Sequence, residues 1–84
     1  MDPELEARRR EAEKQQQAKA RAEEQKLDAQ RADNCRRARG QLAALQSGQR
    51  MARINDKGER EILDDKGRAD EMRRANEVIA SECR

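Results

Sequence analysis

The large apolar side chains of this chain are few, and most lie in its C-terminal part. Only 12 of the 84 residues are Leu, Ile, Val or Met, and nine of these follow residue 40. Phe, Tyr and Trp are all absent. So few large apolar groups cannot form a core for all 84 residues. We therefore expect one small domain that needs a cross-link to be stable.

The composition also excludes several classes of function. Without His, the chain has no imidazole base and no Ser–His or Cys–His pair. Without aromatic residues it has no platform on which nucleic-acid bases stack. No more than two large apolar residues stand side by side, so we expect no membrane span. We predict that the chain is not an enzyme and holds no cofactor and no metal ion. The adjacent carboxylates Asp64 and Asp65 suit a helix cap better than acid–base catalysis.

Positive and negative charges are interleaved along the chain. The net charge is +2, from 20 basic and 18 acidic residues. The longest basic run, residues 8–10, has acidic residues on both sides. A nucleic-acid-binding protein usually clusters its cations on one face, so this pattern argues against nucleic acid as a partner. It is typical of a solvated helix face.

Residues 6–34 are rich in Glu, Arg, Lys, Gln and Ala and contain no Gly or Pro. These residue types favour a helix. We interpret the segment as a charged helical connector exposed to solvent. The alternative is a weak coiled coil through which the chain self-associates. Its seam would comprise Ala18, Ala22, Gln25, Ala29 and Ala32. A signal peptide requires an apolar stretch after its first residues, and none follows residues 1–5. We therefore interpret residues 1–5 as an artificial start or vector-derived stub.

Two stretches within residues 35–84 repeat apolar residues at helical spacing. The first comprises Cys35, Ala38, Leu42 and Leu45. The second comprises Ala69, Met72, Ala75 (or Asn76), Ile79 and Cys83. Gly48 predicts a left-handed end to the first helix. Asp64 or Asp65 predicts the N-cap of the second.

A β-hairpin is predicted between the two helices. The segment Asn55-Asp56-Lys57-Gly58 favours a type I turn followed by a glycine bulge. Closing Asn55 against Glu59 defines the pairing of the two strands. One face of the ribbon then carries Ala52, Ile54 and Ile62, and the other sets Arg53 opposite Glu61 and Met51 opposite Leu63. A two-stranded ribbon is marginal alone, so it must pack on the helices.

These patterns divide residues 35–84 into a core and a possible interaction surface. The predicted core comprises Ala38, Leu42, Leu45, Ile54, Ile62, Met72 and Ile79. The predicted interaction surface comprises the residues left over, Met51, Leu63 and Val78, with Arg36, Arg37 and Arg39 at the junction with the connector. Partial burial of the apolar residues and solvation of the arginines are the simpler interpretation of this second set.

The two cysteines lie at opposite ends of the predicted domain. If the hairpin reverses the chain, the helices run antiparallel and Cys35 meets Cys83. We favour a disulfide between them, because no other cysteine competes. Two buried free thiols are the alternative; a zinc site lacks ligands, and the spacing is far from Cys-x-x-Cys. The predicted fold is mainly α with a small β-hairpin: a long N-terminal helix, a β-hairpin and an antiparallel second helix, closed by one disulfide.

Residues 33–84 resemble the C-terminal region of proteobacterial periplasmic proteins of the domain-of-unknown-function family four-one-two-four. The matching features are, in order, Cys35, Ala38-Arg39, Leu42-x-x-Leu45, Ser47-Gly48, Asp56-x-Gly58-Glu59-Arg60, Leu63-Asp64-Asp65 and Cys83. Residues 4–32 resemble that family's connector, whereas its aromatic N-terminal module has no counterpart here. The family more often has an aromatic residue at the position of Ile62. The resemblance implies a secreted, disulfide-closed tail and brings no catalytic residues.

We expect a non-catalytic structural or protein-interaction module of a bacterial envelope, periplasmic or secreted, with an unidentified protein partner. A structural disulfide is typical of such oxidising compartments. The alternative is a cytoplasmic helical adapter or coiled-coil oligomer with free thiols. The state of the two cysteines distinguishes these hypotheses.

Overall fold

The computed structural model describes residues 2–84 and contains two helices with a β-hairpin between them. The elements are α1 (Pro3–Gln46), β1 (Ala52–Ile54), β2 (Arg60–Ile62) and α2 (Asp65–Glu82). This element order and the disulfide between Cys35 and Cys83 confirm the predicted fold class. The chain divides into two compact units: the first ends at Gln30, and the second comprises residues 31–84.

The first unit is the N-terminal part of α1 and has no core of its own. The helix begins at Pro3, and Asp2 Oδ1 accepts a hydrogen bond of 3.0 Å from the backbone N–H of Glu4. Within residues 2–30 every side chain is exposed except that of Glu6, which is half-buried. Exposed ion pairs one turn apart, such as Arg8–Glu4 at 3.7 Å, each contribute only about 0.3–0.5 kcal/mol. The alanines of the predicted seam are exposed as well.

The second unit begins within α1, which ends at a glycine. The backbone N–H of Ser47 still bonds to the carbonyl of Ala43, and the Ser47 hydroxyl bonds to the carbonyl of Ala44. Gly48 then takes a positive φ of 79°. A residue with a Cβ is strained in this left-handed conformation, so glycine suits the position. The helix therefore ends where the sequence predicts.

The hairpin has the register that its turn sequence predicts. Arg53 lies opposite Glu61 and Ala52 opposite Ile62 in the antiparallel pair. The Asn55 side chain accepts hydrogen bonds from two backbone N–H groups of the turn, at 2.9 and 3.0 Å. Gly58 supplies the positive φ, 77°, that the bulge after the turn requires.

Helix α2 is capped by Asp64, one of the two predicted candidates. Asp64 is extended, and its Oδ1 accepts a hydrogen bond of 2.7 Å from the backbone N–H of Gly67. This bond satisfies one of the free N–H groups at the start of the helix. The helix ends at Glu82, and the N–H of Cys83 bonds to the carbonyl of Ile79.

The core of the second unit is very small. The buried apolar residues are Ala38, Leu45 and Ala75, and only Leu45 is fully buried. Three members of the predicted core are half-buried instead: Leu42, Met72 and Ile79. Full burial of a leucine contributes about 1.5–3 kcal/mol, so apolar packing alone stabilises this unit weakly.

The prediction that Ile54 and Ile62 belong to the core is wrong. Ile54 is 67% exposed and Ile62 is 56% exposed. The register is correct, but the ribbon packs with its other face inward, so Met51 and Leu63 are half-buried. Because successive side chains of a strand point to opposite faces, the reversal places every strand residue on the side opposite to the predicted one. Ala69, predicted in the stripe of α2, is exposed too.

An ion pair on the inward face explains the reversal. The Arg53 guanidinium bonds to Glu61 across the ribbon and also to Glu71 on α2. Glu71 is the more buried of these two carboxylates. Turning the isoleucines inward would separate Arg53 from Glu71. The ion pairs of Arg53 therefore lie on the face of the ribbon that the sequence predicts to be turned away from the core.

Candidate functional site

The C-terminal end of α2 is tied covalently to α1. The sulfurs of Cys35 and Cys83 are 2.04 Å apart and the Cα atoms 4.9 Å apart, and both residues are half-buried. Beside the bridge, Asn34 Nδ2 donates a hydrogen bond of 3.4 Å to Glu82. The same carboxylate lies 3.9 Å from Arg31. A covalent and a polar link therefore coincide at this end of the second unit.

The N-terminal end of α2 is tied to α1 by one arginine. Arg68 donates hydrogen bonds to the carbonyl of Leu45, at 2.6 Å, and to the carbonyl of Gln49, at 2.7 Å. The last turn of α1 contains no basic residue of its own. Arg68 therefore supplies the cation that the negative end of the helix dipole favours. It also satisfies a carbonyl that the helix leaves without a partner.

The hairpin is tied to α2 by a chain of charged groups. The Arg53 guanidinium lies 2.9 Å from Glu61 and 3.3 Å from Glu71, and Glu71 lies 2.9 Å from Arg74. The hydrogen bond to Glu61, then that to Glu71, raises the pKa of Arg53 above its ordinary value. Arginine is charged at any physiological pH, and the contacts of Arg53 with Glu61 and Glu71 tie the ribbon to α2.

The outward face of the hairpin is the most conspicuous unpartnered surface of the second unit. Its exposed residues are Ile54, Ile62 and Arg60, and Arg60 lies directly opposite Ile54. Ala52 lies opposite Ile62 and is half-buried. We call Ala52, Ile54, Arg60 and Ile62 the outer hairpin face. Ile54 and Ile62 are diagonal neighbours across the two strands, and contiguous exposed apolar groups are typical of contact surfaces.

A shallow groove of about 350 Å³ runs between α1 and α2. Ala38 and Ala75 form its floor, and Val78 lines it at 38% exposure. The charged groups along its rim bond to one another or to near neighbours, as Arg37 does to Asn34 at 2.6 Å. The groove therefore offers little unsatisfied charge to a ligand.

The predicted interaction surface is divided in the structure. Met51 and Leu63 are half-buried on the inward side of the ribbon, so they do not form an exposed patch. Val78 is exposed along the groove. The three arginines of this set are exposed, and two of them, Arg36 and Arg37, pair with Asp33 at 3.3 and 3.0 Å. These six residues do not come together as one site.

The chemistry available to residues 2–84 is limited. Nowhere in this range do three or more His, Cys, Asp or Glu side chains gather as a metal ion would require. Neither α1 nor α2 contains an apolar stretch long enough to span a bilayer. Both cysteines are in the disulfide, so within the described range no thiol is free to act as a nucleophile.

Two features of the site were missed by the sequence analysis. Arg68 was not singled out, because its acceptors lie 23 and 19 residues away in the sequence. Ile54 and Ile62 of the outer hairpin face were assigned to the core, because isoleucines usually are buried. The opposite-charge pair Arg53–Glu61 was recognised, but the sequence does not show that Glu71 approaches it. That third residue is the signal that orients the ribbon.

Comparisons of the chain with protein-family models, with curated proteins and with solved structures found no match. Its function must therefore be inferred from the residues and their geometry.

Proposed function

We propose that the chain is a non-catalytic structural or protein-interaction module of a bacterial envelope, located in the periplasm or outside the cell. The observation that carries this proposal is the disulfide between Cys35 and Cys83. Structural disulfides form and persist in oxidising compartments and are rare in the cytosol. The resemblance of residues 33–84 to the C-terminal region of family four-one-two-four supports the same location.

The energetics of the second unit favour a disulfide with a structural role. Its core contains three buried apolar residues, two of which are alanines. The bridge joins residues with a sequence separation of 48, which in the loop-entropy model stabilises the folded state by about 4 kcal/mol. This exceeds the contribution of the one fully buried leucine. A unit that depends on its disulfide to this extent suits an oxidising compartment.

The arrangement of groups favours contact over catalysis. Several charged residues near the disulfide and on the inward face of the hairpin are engaged in ion pairs that join elements, such as Arg53–Glu71 and Arg31–Glu82. By contrast, Ile54 and Ile62 of the outer hairpin face are exposed large apolar groups. A surface of this kind binds another macromolecule more readily than it holds a small substrate, which usually needs a concave pocket.

The test is the thiol state of the chain after production in two compartments of a Gram-negative host. One sample is exported to the periplasm and the other is retained in the cytosol. Each is denatured and alkylated with and without reductant, and the intact mass is measured. We expect the exported protein to be a monomer with no alkyl adducts before reduction and two after it, and to resist proteolysis only while oxidised.

Two other outcomes would contradict the proposal. Two free thiols in the exported protein, with unchanged resistance to proteolysis, would favour the cytoplasmic adapter. A disulfide-linked dimer would show that Cys35 and Cys83 join two copies of the chain. A double variant with Ser at both positions is the matched control, because it cannot be alkylated in either compartment.

A further inference from the structure

The outer hairpin face is exposed although the second unit has few apolar groups to bury. Ile54 and Ile62 retain 67% and 56% of their exposure, whereas the core uses Ala38 and Ala75. Two buried isoleucines would have enlarged this core considerably. Exposed β-branched residues on a ribbon whose inward face carries the Arg53–Glu61 ion pair depart from the usual arrangement. Such departures are expected at functional sites.

The same residues also present the free backbone groups of the ribbon. The N–H of Leu63 bonds to the carbonyl of Met51, and the N–H of Asn55 bonds to the carbonyl of Glu59. Hydrogen-bonded pairs alternate with pairs that are not hydrogen-bonded in an antiparallel ladder. The pairs Ala52–Ile62 and Ile54–Arg60 of the outer hairpin face are therefore not hydrogen-bonded to each other. Their N–H and C=O groups therefore point outward along the two edges of the ribbon, where another strand can pair with them.

The edge formed by β2 also presents an unpaired charge. Arg60 is exposed, and within residues 2–84 no carboxylate lies within 4 Å of its guanidinium. Arg53, on the opposite face of the ribbon, is by contrast paired twice. A guanidinium beside an isoleucine favours a partner that presents a carboxylate and an apolar group together.

We propose that the edge of β2 binds an extended segment of a partner protein by strand addition, with apolar side chains against Ile54 and Ile62 and a carboxylate against Arg60. Backbone hydrogen bonds to the edge would supply affinity, and the side chains of the outer hairpin face would supply specificity. This inference rests on the proposed function as an interaction module, and it names the surface and the chemistry of the partner.

Two other occupants fit the observations less well. The outer hairpin face of a second copy carries Arg60 and no carboxylate, so two copies paired through β2 would leave both guanidinium groups without a counter-charge. The turn beside the face exposes the carboxylates of Asp56 and Glu59 and the ammonium group of Lys57, a net charge of −1 that repels rather than attracts an anionic membrane. An extended peptide avoids this repulsion, because it can align its carboxylate with Arg60 alone.

The experiment is a selection of 12-residue peptides from a random displayed library on the intact, oxidised chain. We expect the selected peptides to alternate β-branched or aromatic residues with others and to contain Asp or Glu. Peptide binding should protect the backbone amides of Arg60 and Ile62 from hydrogen exchange. The double variant Ile54→Ser with Ile62→Ser should bind at least about tenfold more weakly. Selection on Arg60→Glu should replace the acidic residue by Lys or Arg.

The matched control is Val78→Ser, which removes an exposed apolar residue outside the hairpin. It should leave peptide binding unchanged. Selection of no peptide, of peptides without the alternating pattern, or of peptides that bind the double variant equally well would overturn the proposal. Two further results would overturn it, in each case if the double variant still binds peptide. One is binding of the chain to anionic vesicles that the double variant loses. The other is dimerisation in sedimentation that the double variant loses. The alkylation experiment tests the location separately, so the failure of either proposal can be recognised.

Discussion

Arg68 shows how much one side chain contributes in a unit with so small a core. Its guanidinium bonds to the carbonyl of Leu45 in the last turn of α1 and to the carbonyl of Gln49 in the loop that follows. We expect Arg68→Gln to lower the free energy of unfolding of residues 31–84 by about 1–2 kcal/mol, since both charge-assisted bonds are lost. Urea unfolding followed by the amide signal of Leu45 measures this. The control Arg39→Gln, at an exposed position, should change stability by less than about 0.5 kcal/mol. Equal effects of the two variants would contradict the role of Arg68.

Two glycines of the second unit should respond to alanine in opposite directions. Gly40 lies inside α1, and a Cβ built on it would meet nothing within 4 Å. Gly40→Ala should therefore stabilise the unit by about 0.5–1 kcal/mol through helix propensity. Gly48 also has free space, but its φ is 79°. Gly48→Ala should destabilise by about 1–2 kcal/mol, because a Cβ is strained there. Urea midpoints of the two variants measure both effects, and the same sign for both would contradict this explanation.

The carboxyl of Asp70 should make α2 sensitive to acid. Hydrogen bonds from Arg73 and then from Lys66 hold the pKa of Asp70 below its ordinary value of 3.8. The folded state therefore favours the charged form, and this contribution is complete above about pH 4 and is lost as the pH falls through the lowered pKa. Asp70→Asn should reduce the fall in melting temperature between about pH 6 and pH 2. Arg73→Gln should have the same effect. If the pH profile of the melting temperature is unchanged in both variants, Asp70 does not contribute to the acid sensitivity.

At the scale of the elements, local signals predicted the hairpin's turn and register but not which face packs inward. Asn55 and Gly58 determine the turn through their own backbone bonds and dihedral angles, so the register follows from neighbouring residues. The inward face depends on Glu71, which is distant in the sequence and approaches only after α2 has packed. Hydrophobicity alone pointed to the wrong face, because it does not account for this ion pair.

Adjacent substitutions on the two faces of the hairpin test its orientation. Leu63 is half-buried and Ile62 is exposed, although they are neighbours in the sequence. Leu63→Thr should lower the free energy of unfolding by about 1–2 kcal/mol, since apolar contact is lost. Ile62→Thr retains a β-branched side chain and should cost less than about 0.5 kcal/mol. Thermal unfolding of both variants measures the difference, and the reverse order would restore the face that the sequence predicted.

At the scale of the whole molecule, the sequence predicted the cross-link because the need for it follows from composition. A chain with 12 large aliphatic side chains and no aromatic residue cannot depend on its core, and its two cysteines lie at the ends of two helical stripes. The candidate contact surface was not predictable in this way. It consists of residues that the folded unit leaves exposed. Because the hairpin packs with its other face inward, Ile54 and Ile62 are exposed instead of Met51 and Leu63.

The disulfide should therefore decide whether the second unit folds at all. Replacing Cys35 and Cys83 by Ser removes the constraint on a loop with a sequence separation of 48, which we expect to cost about 4 kcal/mol. Hydrogen exchange at the amides of Leu45 and Ala75 measures the loss at the core, where exchange should accelerate by about a thousandfold. The unmodified chain in excess dithiol is the matched control and should exchange as fast as the double variant. If both retained the protection of the oxidised chain, the ties at Arg68 and Arg53 would be sufficient to hold the helices and the hairpin together. The envelope location would then lose its energetic support, because a unit stable without its disulfide folds equally well in a reducing compartment.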